Sequence, residues 1–322
     1  MEYSFNTILT EELSEFNVLY EKTLKNHSSL FQHMIDYITE GGGKKIRPTL
    51  VFLSAKLCGT PNQKTADYAV IVELLHTATL IHDDVVDKTM ERRNRLSVNA
   101  KYDNRLAVLL GDFVLTLAIQ LGVKTENLKI LSILAELSKN LVEGELFQLT
   151  SSGESIINEN RYFEIIYKKT ATLLATCTEM GAISVDTDKE KLEKMRLIGE
   201  KLGLCFQIKD DIFDYFDQGE IGKPTGNDIR EGKITLPLIY SLNNAPEAIA
   251  SEMKQIIKYQ NFNSENITKL IDFAKTYKGI DYAQQKMEEI KEDILSLLSS
   301  FDESEAKKSM IQFVDFIIKR KK

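Results

Sequence analysis

VIVELLHTATLIHDDVVD, residues 70–87, is an apolar segment of helical character that ends in three carboxylates. On a helix Asp83 and Asp87, four residues apart, lie one above the other on one face, with Asp84 beside them. Like charges grouped at the end of a buried apolar helix cost on the order of several kcal/mol unless neutralised, and a divalent cation is the usual neutraliser. The pattern returns at residues 210–214, DDIFD, behind the apolar run LGLCFQIK. Two such clusters suggest one metal site shared by two helices.

Helix is also the simplest reading on both sides of this segment. The five prolines, at positions 48, 61, 224, 237 and 246, interrupt no long periodic stretch. Residues 8–25 and 28–39 form amphipathic helices, the second stopped by Gly41-Gly42-Gly43. Lys44-Lys45-Ile46-Arg47-Pro48 leads into the apolar run TLVFLSAKL, with Pro48 suited to a first helical turn and Gly59 and Pro61 closing the helix. The central helix covers 65–87, and KTMERRNR, residues 88–95, is a polar break. Further helices run over 97–121, 128–149, 159–184 and 188–216, the last being one helix or a pair. Residues 217–233, DQGEIGKPTGNDIREGK, make the longest loop, of a length used for lids and binding segments. ITLPLIYSL restarts the helical pattern, and the tail is charged and amphipathic. With no strand alternation, repeat or low-complexity linker, the expectation is an all-α protein: one domain over residues 1–322, a single large helical bundle with a central cavity.

A 322-residue chain with 43% hydrophobic residues can fill a sizeable core. Its net charge of −7 argues against a nucleic-acid partner and leaves any anionic ligand to local basic groups or metal. Cys58, Cys177 and Cys205 are odd in number, widely spaced and set in apolar helices, so they read as reduced core residues of a cytoplasmic protein without zinc spacing. The N-terminal MEYSFNTILTEELSEF is acidic and amphipathic, unlike a targeting peptide, and no apolar run is expected to approach membrane-spanning length.

Each motif has a plainer alternative. A lone DxxxD usually marks a solvated face, but two DDxxD copies behind buried-looking helix resist that explanation. Mg²⁺ suits them, since it takes carboxylate oxygens together with water and substrate phosphate. Residues 43–48 could be a basic turn, and Arg92-Arg93 a surface pair. Five residues beyond Asp87, that pair could also meet a metal-held phosphate bidentately. His76, seven residues before Asp83 on the same face, reads first as a core histidine. Lys169, Lys223 and Lys233 say little alone. Together the parts describe a helical cavity with acidic groups at its mouth, cations around them and apolar walls beneath.

The motifs GGGKKIRP, HTATLIHDDVVD, RR, GDF, EGELFQL, KKTATL, FQIKDDIFD and GKPTGNDIREGKITLPLI follow one another from Gly41 to Ile239. In that order they resemble the trans-type polyprenyl diphosphate synthases, most of all the medium- and long-chain members that make heptaprenyl or octaprenyl products. The resemblance implies head-to-tail condensation of isopentenyl diphosphate onto an allylic diphosphate, with three Mg²⁺ per active site. It implies metal-binding roles for Asp83, Asp87, Asp210, Asp211 and Asp214, with Asp84 supporting and Lys169 also catalytic. Arg92, Lys169, Thr170, Gln207, Lys223 and Lys233 resemble the contacts to the allylic diphosphate. Lys44, Arg47, His76 and Arg93 resemble the isopentenyl diphosphate site, which moves His76 from core to ligand on family grounds. Asn94 stands where the family usually has glycine after the arginine pair, and asparagine tolerates positive φ.

Short-chain members commonly carry an aromatic residue at position 78 or 79, and here Ala78 and Thr79 are small. One isoprene unit is about as long as a helical turn, so side chains on successive turns below Asp83 can gauge successive units. The open floor, with Leu75, Val72 and Ile71 as bulkier stops, points to a product of about six to eight units. The expected partner is a second copy of the chain, with the catalytic half of a heterodimer as the alternative, and the product would draw the enzyme toward a membrane surface. A short-chain farnesyl or geranylgeranyl enzyme, a terpene synthase and a regulatory subunit are the competing readings. The second diphosphate site argues against the terpene synthase and the two intact acidic motifs against the regulatory subunit.

Overall fold

The structure, a computed structural model, describes residues 4–25, 28–40, 45–92, 95–150, 157–216 and 225–320. Among these, sixteen α-helices, a π-helical turn, a 3₁₀ segment and one two-stranded hairpin make up the regular structure, so the all-α expectation holds. The chain divides into two compact units, and helices α7, α9, α10 and α16, bounded below, each contribute residues to both.

The first unit comprises Met1–Glu136, Thr176–Arg196 and Phe301–Gln312. It begins with the 3₁₀ segment Ser4–Leu9, followed by α1 (Thr10–Leu24), α2 (Ser29–Glu40), α3 (Ile46–Cys58) and α4 (Gln63–Val86). Pro48 sits in the first turn of α3, whose residues Pro48–Ala55 are all buried. An element apolar on every side belongs in a core. Helix α4 starts two residues earlier than expected because Asn62 caps it. Lys64 N donates to Asn62 Oδ1 (2.9 Å) and Asn62 N donates to Thr65 Oγ1 (3.1 Å), a reciprocal capping box.

The helix expected over 97–121 is two: α5 (Val98–Lys101) and α6 (Asn104–Lys124). Asp103 makes the break by accepting the Leu106 amide at 2.9 Å and so starting a new helix. Helix α6 packs on α4 through a face that includes Ala107, Gly111 and Ala118. A Cβ at Gly111 would lie 2.3 Å from His82 Nε2, which accounts for the glycine of the GDF motif. The opposite side of α6 exposes Leu109, Ile119 and Val123. One 18-residue stretch of α6 is long and apolar enough to cross a membrane by length and composition alone, which the sequence reading did not expect, but the core helix of a soluble protein passes the same test. A second correction concerns strands. Residues Glu91–Arg92 (β1) and Arg95–Leu96 (β2) pair antiparallel, with Arg92 opposite Arg95.

The second unit comprises Leu137–Ala175, Leu197–Ser300 and Phe313–Lys322. Helix α7 (Leu128–Thr150) leads into it, followed by α8 (Glu159–Ile166), the π-helical turn Tyr167–Ala171, α9 (Thr172–Ser184) and α10 (Lys189–Phe213). Of the expected 217–233 loop, residues 217–224 lie outside the described residues. The rest holds a short helix, α11 (Asn227–Arg230), bracketed by Gly226 and Gly232 at φ 75° and 80°, where glycine avoids strain. Helices α12 (Leu236–Asn244), α13 (Glu247–Lys258), α14 (Ser264–Thr276), α15 (Gly279–Ser299) and α16 (Glu305–Lys319) complete the chain. Cys177 and Cys205 are buried free thiols as expected, whereas Cys58, the last residue of α3, is half-exposed. The glycines 41–43 expected to stop α2 lie outside the described residues.

Candidate functional site

In the first unit the acidic residues occupy the C-terminal end of α4, with Asp87 as its C-cap. The helix dipole is negative there, so three carboxylates meet like charge from the backbone as well as from each other. The structure resolves part of this conflict internally. Asp84 is only 3% exposed and faces Arg92, whose Nε donates to Oδ1 (2.9 Å) and Oδ2 (3.0 Å) while Nη2 lies 2.7 Å from Oδ1. Strand β1 positions that arginine. Asp83 is half-buried and Asp87 exposed, so these two carboxylates are more accessible to solvent than Asp84.

Beside this end lies a cavity of about 230 Å³, lined among others by Lys45, His76, Leu80, Ile81, Arg92 and Arg95. Cations and aliphatic walls together suit a small ligand with an anionic head and an apolar body. Lys45 and Arg95 were not singled out in the sequence, although both stand inside motifs that were. Lys45 donates to Asn17 Oδ1. Arg95 pairs with Glu40 at 3.1 Å and stacks over the Tyr37 ring at 4.4 Å. Arg47 lies half-buried in the first turn of α3. On α4, Ala78 and Leu75 are buried, and the half-buried Thr79 donates its hydroxyl to the His76 carbonyl.

The second acidic motif likewise closes the C-terminal end of its helix, α10. Here a cavity of about 170 Å³ gathers Lys169, Thr170, Gln207, Asp211, Asp228 and Lys233. Five of these were sequence candidates from separated motifs. A π-helical turn carries Lys169 and Thr170, and such turns are frequent at functional sites because they re-aim side chains within a helix. Glu145 (2.5 Å) and Gln148 (3.1 Å) of α7 hold Lys169. That accounts for much of the EGELFQL motif, and Gly144 accounts for more. A Cβ there would sit 2.8 Å from Lys169 Cγ and 3.0 Å from its backbone nitrogen. Gly203 does the same for α10, where a Cβ would meet Ala171 Cα at 2.3 Å.

A hydrogen-bond chain then runs to the metal motif. Thr170 donates to Gln207 Oε1 (2.7 Å), Gln207 Nε2 donates to Asp211 Oδ1 (2.8 Å), and Tyr162 donates to Asp211 Oδ2 (2.6 Å). Burial first, and then the charge of Asp228, pushes the Asp211 carboxyl up to about 8. Burial and then Asp214 push Asp228 up to about 7. Asp214 accepts the amides of Asn227 (2.8 Å) and Asp228 (3.1 Å), so it also anchors α11. Lys233 pairs with Glu231 at 2.7 Å. Tyr162 and Asp228 were missed in the sequence: the first reads as a core aromatic, the second as one charge in a charged loop.

Among the described residues no three His, Cys, Asp or Glu side chains form a ready-made metal cage. Mg²⁺ does not need one, because it retains waters and combines one or two carboxylates with substrate phosphate. Buried carboxyls held partly neutral by one another are the donors that a divalent cation ionises, releasing protons as it binds.

The polyprenyl synthetase family model matches residues 28–273, which span all these motifs. The chain belongs to the polyprenyl synthetase family. It is a prenyltransferase of isoprenoid biosynthesis. Among its relatives, the octaprenyl diphosphate synthase of Haemophilus influenzae is 35% identical over 285 residues, 88% of this chain and 86% of the relative. The crystal structure of a Caulobacter crescentus polyprenyl synthase, complexed with calcium and isoprenyl diphosphate, matches with a TM-score of 0.91 at 30% identity, covering 99% of this chain and 97% of that one. A geranylgeranyl pyrophosphate synthase from Bacteroides thetaiotaomicron matches at 0.84 with 38% identity, covering 98% of both. In this polyprenyl synthetase Lys44, Arg93 and Lys223 lie outside the described residues, as does Asn94.

Proposed function

We propose that the enzyme condenses isopentenyl diphosphate head-to-tail onto an allylic diphosphate, with Mg²⁺ held by Asp83 and Asp87 of the first motif and by Asp210, Asp211 and Asp214 of the second. The observation that carries this reading is the second-unit cavity, where carboxyls pushed toward neutrality adjoin Lys169 and Lys233. That combination fits a metal-bridged diphosphate. Three Mg²⁺ per active site are proposed, and the metal, when bound, supplies positive charge to the departing diphosphate. Lys169, Thr170, Gln207 and Lys233 orient that group, with Arg92 and Lys223. Lys44, Arg47, His76 and Arg93 hold isopentenyl diphosphate. The allylic C–O bond breaks, the isopentenyl double bond attacks the resulting cation, and proton loss restores an alkene. Apolar walls keep water from the cation. No side chain here is placed as the base, and the released diphosphate serves. EDTA should abolish incorporation of labelled isopentenyl diphosphate by the purified chain; incorporation that survives chelation would refute metal dependence.

A product of about six to eight isoprene units is proposed from the small side chains of Ala78 and Thr79 on α4, one turn from Asp83. The octaprenyl activity of the Haemophilus relative supports it. Ala78→Phe or Thr79→Phe should shorten the product by one or more units, read by mass spectrometry. Unchanged length in both variants would remove the ruler from this helix.

The two units are proposed to act as one domain and the chain as a homodimer in the cytoplasm, a compartment that suits its free thiols. The exposed apolar side of α6 favours burial against a second copy. Ile119→Glu should convert the dimer to monomer in sedimentation; a wild type that is already monomeric would contradict the assignment.

A further inference from the structure

Arg320 follows the last residue of α16 and reaches α10 across 110 positions of sequence. Its Nη2 donates to Asp210 Oδ1 at 2.7 Å and to the Phe206 carbonyl at 2.9 Å. The guanidinium lies over the Phe206 ring, 3.9 Å from its centroid, and 5.6 Å from that of Phe213. Phe206, Asp210 and Phe213 follow at helical spacing on one side of α10. Burial in this pair is one-sided: the Arg320 side chain is 6% exposed and that of Asp210 42%. The cation is built into the protein while the carboxylate remains open to solvent.

We propose that Arg320 is a positioning residue for the second acidic motif, holding one oxygen of Asp210 from within so that the carboxylate is presented to a metal–diphosphate ligand. The inference rests on the reading of Asp210 as a metal ligand. Two other roles are conceivable for an arginine on such a carboxylate, and they predict different signs. A latch that competes with metal must leave when metal binds, but leaving would strand a guanidinium among aromatic rings without its carboxylate. A C-terminal anchor would act on stability and not on metal. Orientation of a ligand by a hydrogen-bonded partner behind it is the arrangement that metal sites commonly use, and its loss costs about 10- to 100-fold in affinity. Lysine could supply the charge, and its ammonium could donate twice, but it cannot supply the planar stack on the Phe206 ring.

The test is Mn²⁺ binding in the presence of inorganic diphosphate, followed by electron paramagnetic resonance, for wild type, Arg320→Met and Arg320→Lys. Methionine fills the slot between the rings without charge, and circular dichroism checks the fold. Arg320→Met should weaken Mn²⁺ binding about 10-fold or more, with Arg320→Lys between it and wild type. Unchanged affinity in Arg320→Met would make the residue an anchor, and tighter binding would make it a competitor; either overturns the proposal. Should Arg320→Met fail to fold, Arg320→Lys decides alone, and affinity equal to wild type overturns it. A wild type that binds no Mn²⁺ with diphosphate overturns the functional reading as well, which separates the two failures.

Discussion

Asp211→Asn is expected to lower turnover about 1,000-fold while making the metal-free protein more stable at alkaline pH. The loss of activity follows from removing a buried charge aimed at the metal–diphosphate site, where electrostatic groups carry much of the rate enhancement. The gain in stability follows from linkage. The folded-state carboxyls of Asp211 and Asp228 titrate above the ordinary value, chiefly because they are buried. A raised carboxyl contributes its stability fully below the unfolded pKa of about 4, and that contribution is lost as pH rises toward the folded values. The slope is about 1.4 kcal/mol per pH unit for each group. Metal-free wild type should therefore melt at a lower temperature at pH 8 than at pH 6, and Asp211→Asn should flatten that decline. Asparagine can keep the links to Gln207 and Tyr162, so the network survives the change. Equal slopes in the two proteins, or wild-type activity in the variant, would contradict this account of the cavity.

Arg92→Ala should be the most destabilising single change in the first unit's acidic site. It leaves Asp84, buried at 3% exposure, without its charge partner. Breaking a fully buried pair costs about 3–5 kcal/mol. Arg92 is itself more than a third exposed, so water can reach the vacated place and the expected cost falls to about 2–3 kcal/mol. Adding Asp84→Asn should recover much of that loss in urea unfolding, while the double variant stays poorly active. Full stability in Arg92→Ala would show that the arginine serves only the diphosphate.

Why some of this was legible in the sequence and some was not has a physical basis. The two aspartate-rich helix ends stand out because grouped carboxylates behind apolar helix are an electrostatic anomaly within a few consecutive residues. Lys169, Thr170 and Gln207 were reached by resemblance, and their meeting depends on a π-helical turn that no periodicity announces. The pairing of Arg92 with Asp84 depends on a hairpin of two-residue strands, and that of Arg320 with Asp210 on contact across most of a helical unit. Tyr162 was hidden because an aromatic residue at helical spacing looks like core until its hydroxyl is seen on Asp211. The break between α5 and α6 was missed although Asp103 signals it, being a cap residue of an ordinary kind. The exposed side of α6 was not, because an apolar helix does not reveal in its sequence which of its faces is covered.

The most direct test of the central claim is the mass of the prenyl chain that the purified protein makes from isopentenyl diphosphate and farnesyl diphosphate with Mg²⁺. The account predicts a ladder of all-trans intermediates ending at about six to eight isoprene units. No elongation beyond the farnesyl primer, or a product that stops after a single addition, would contradict it.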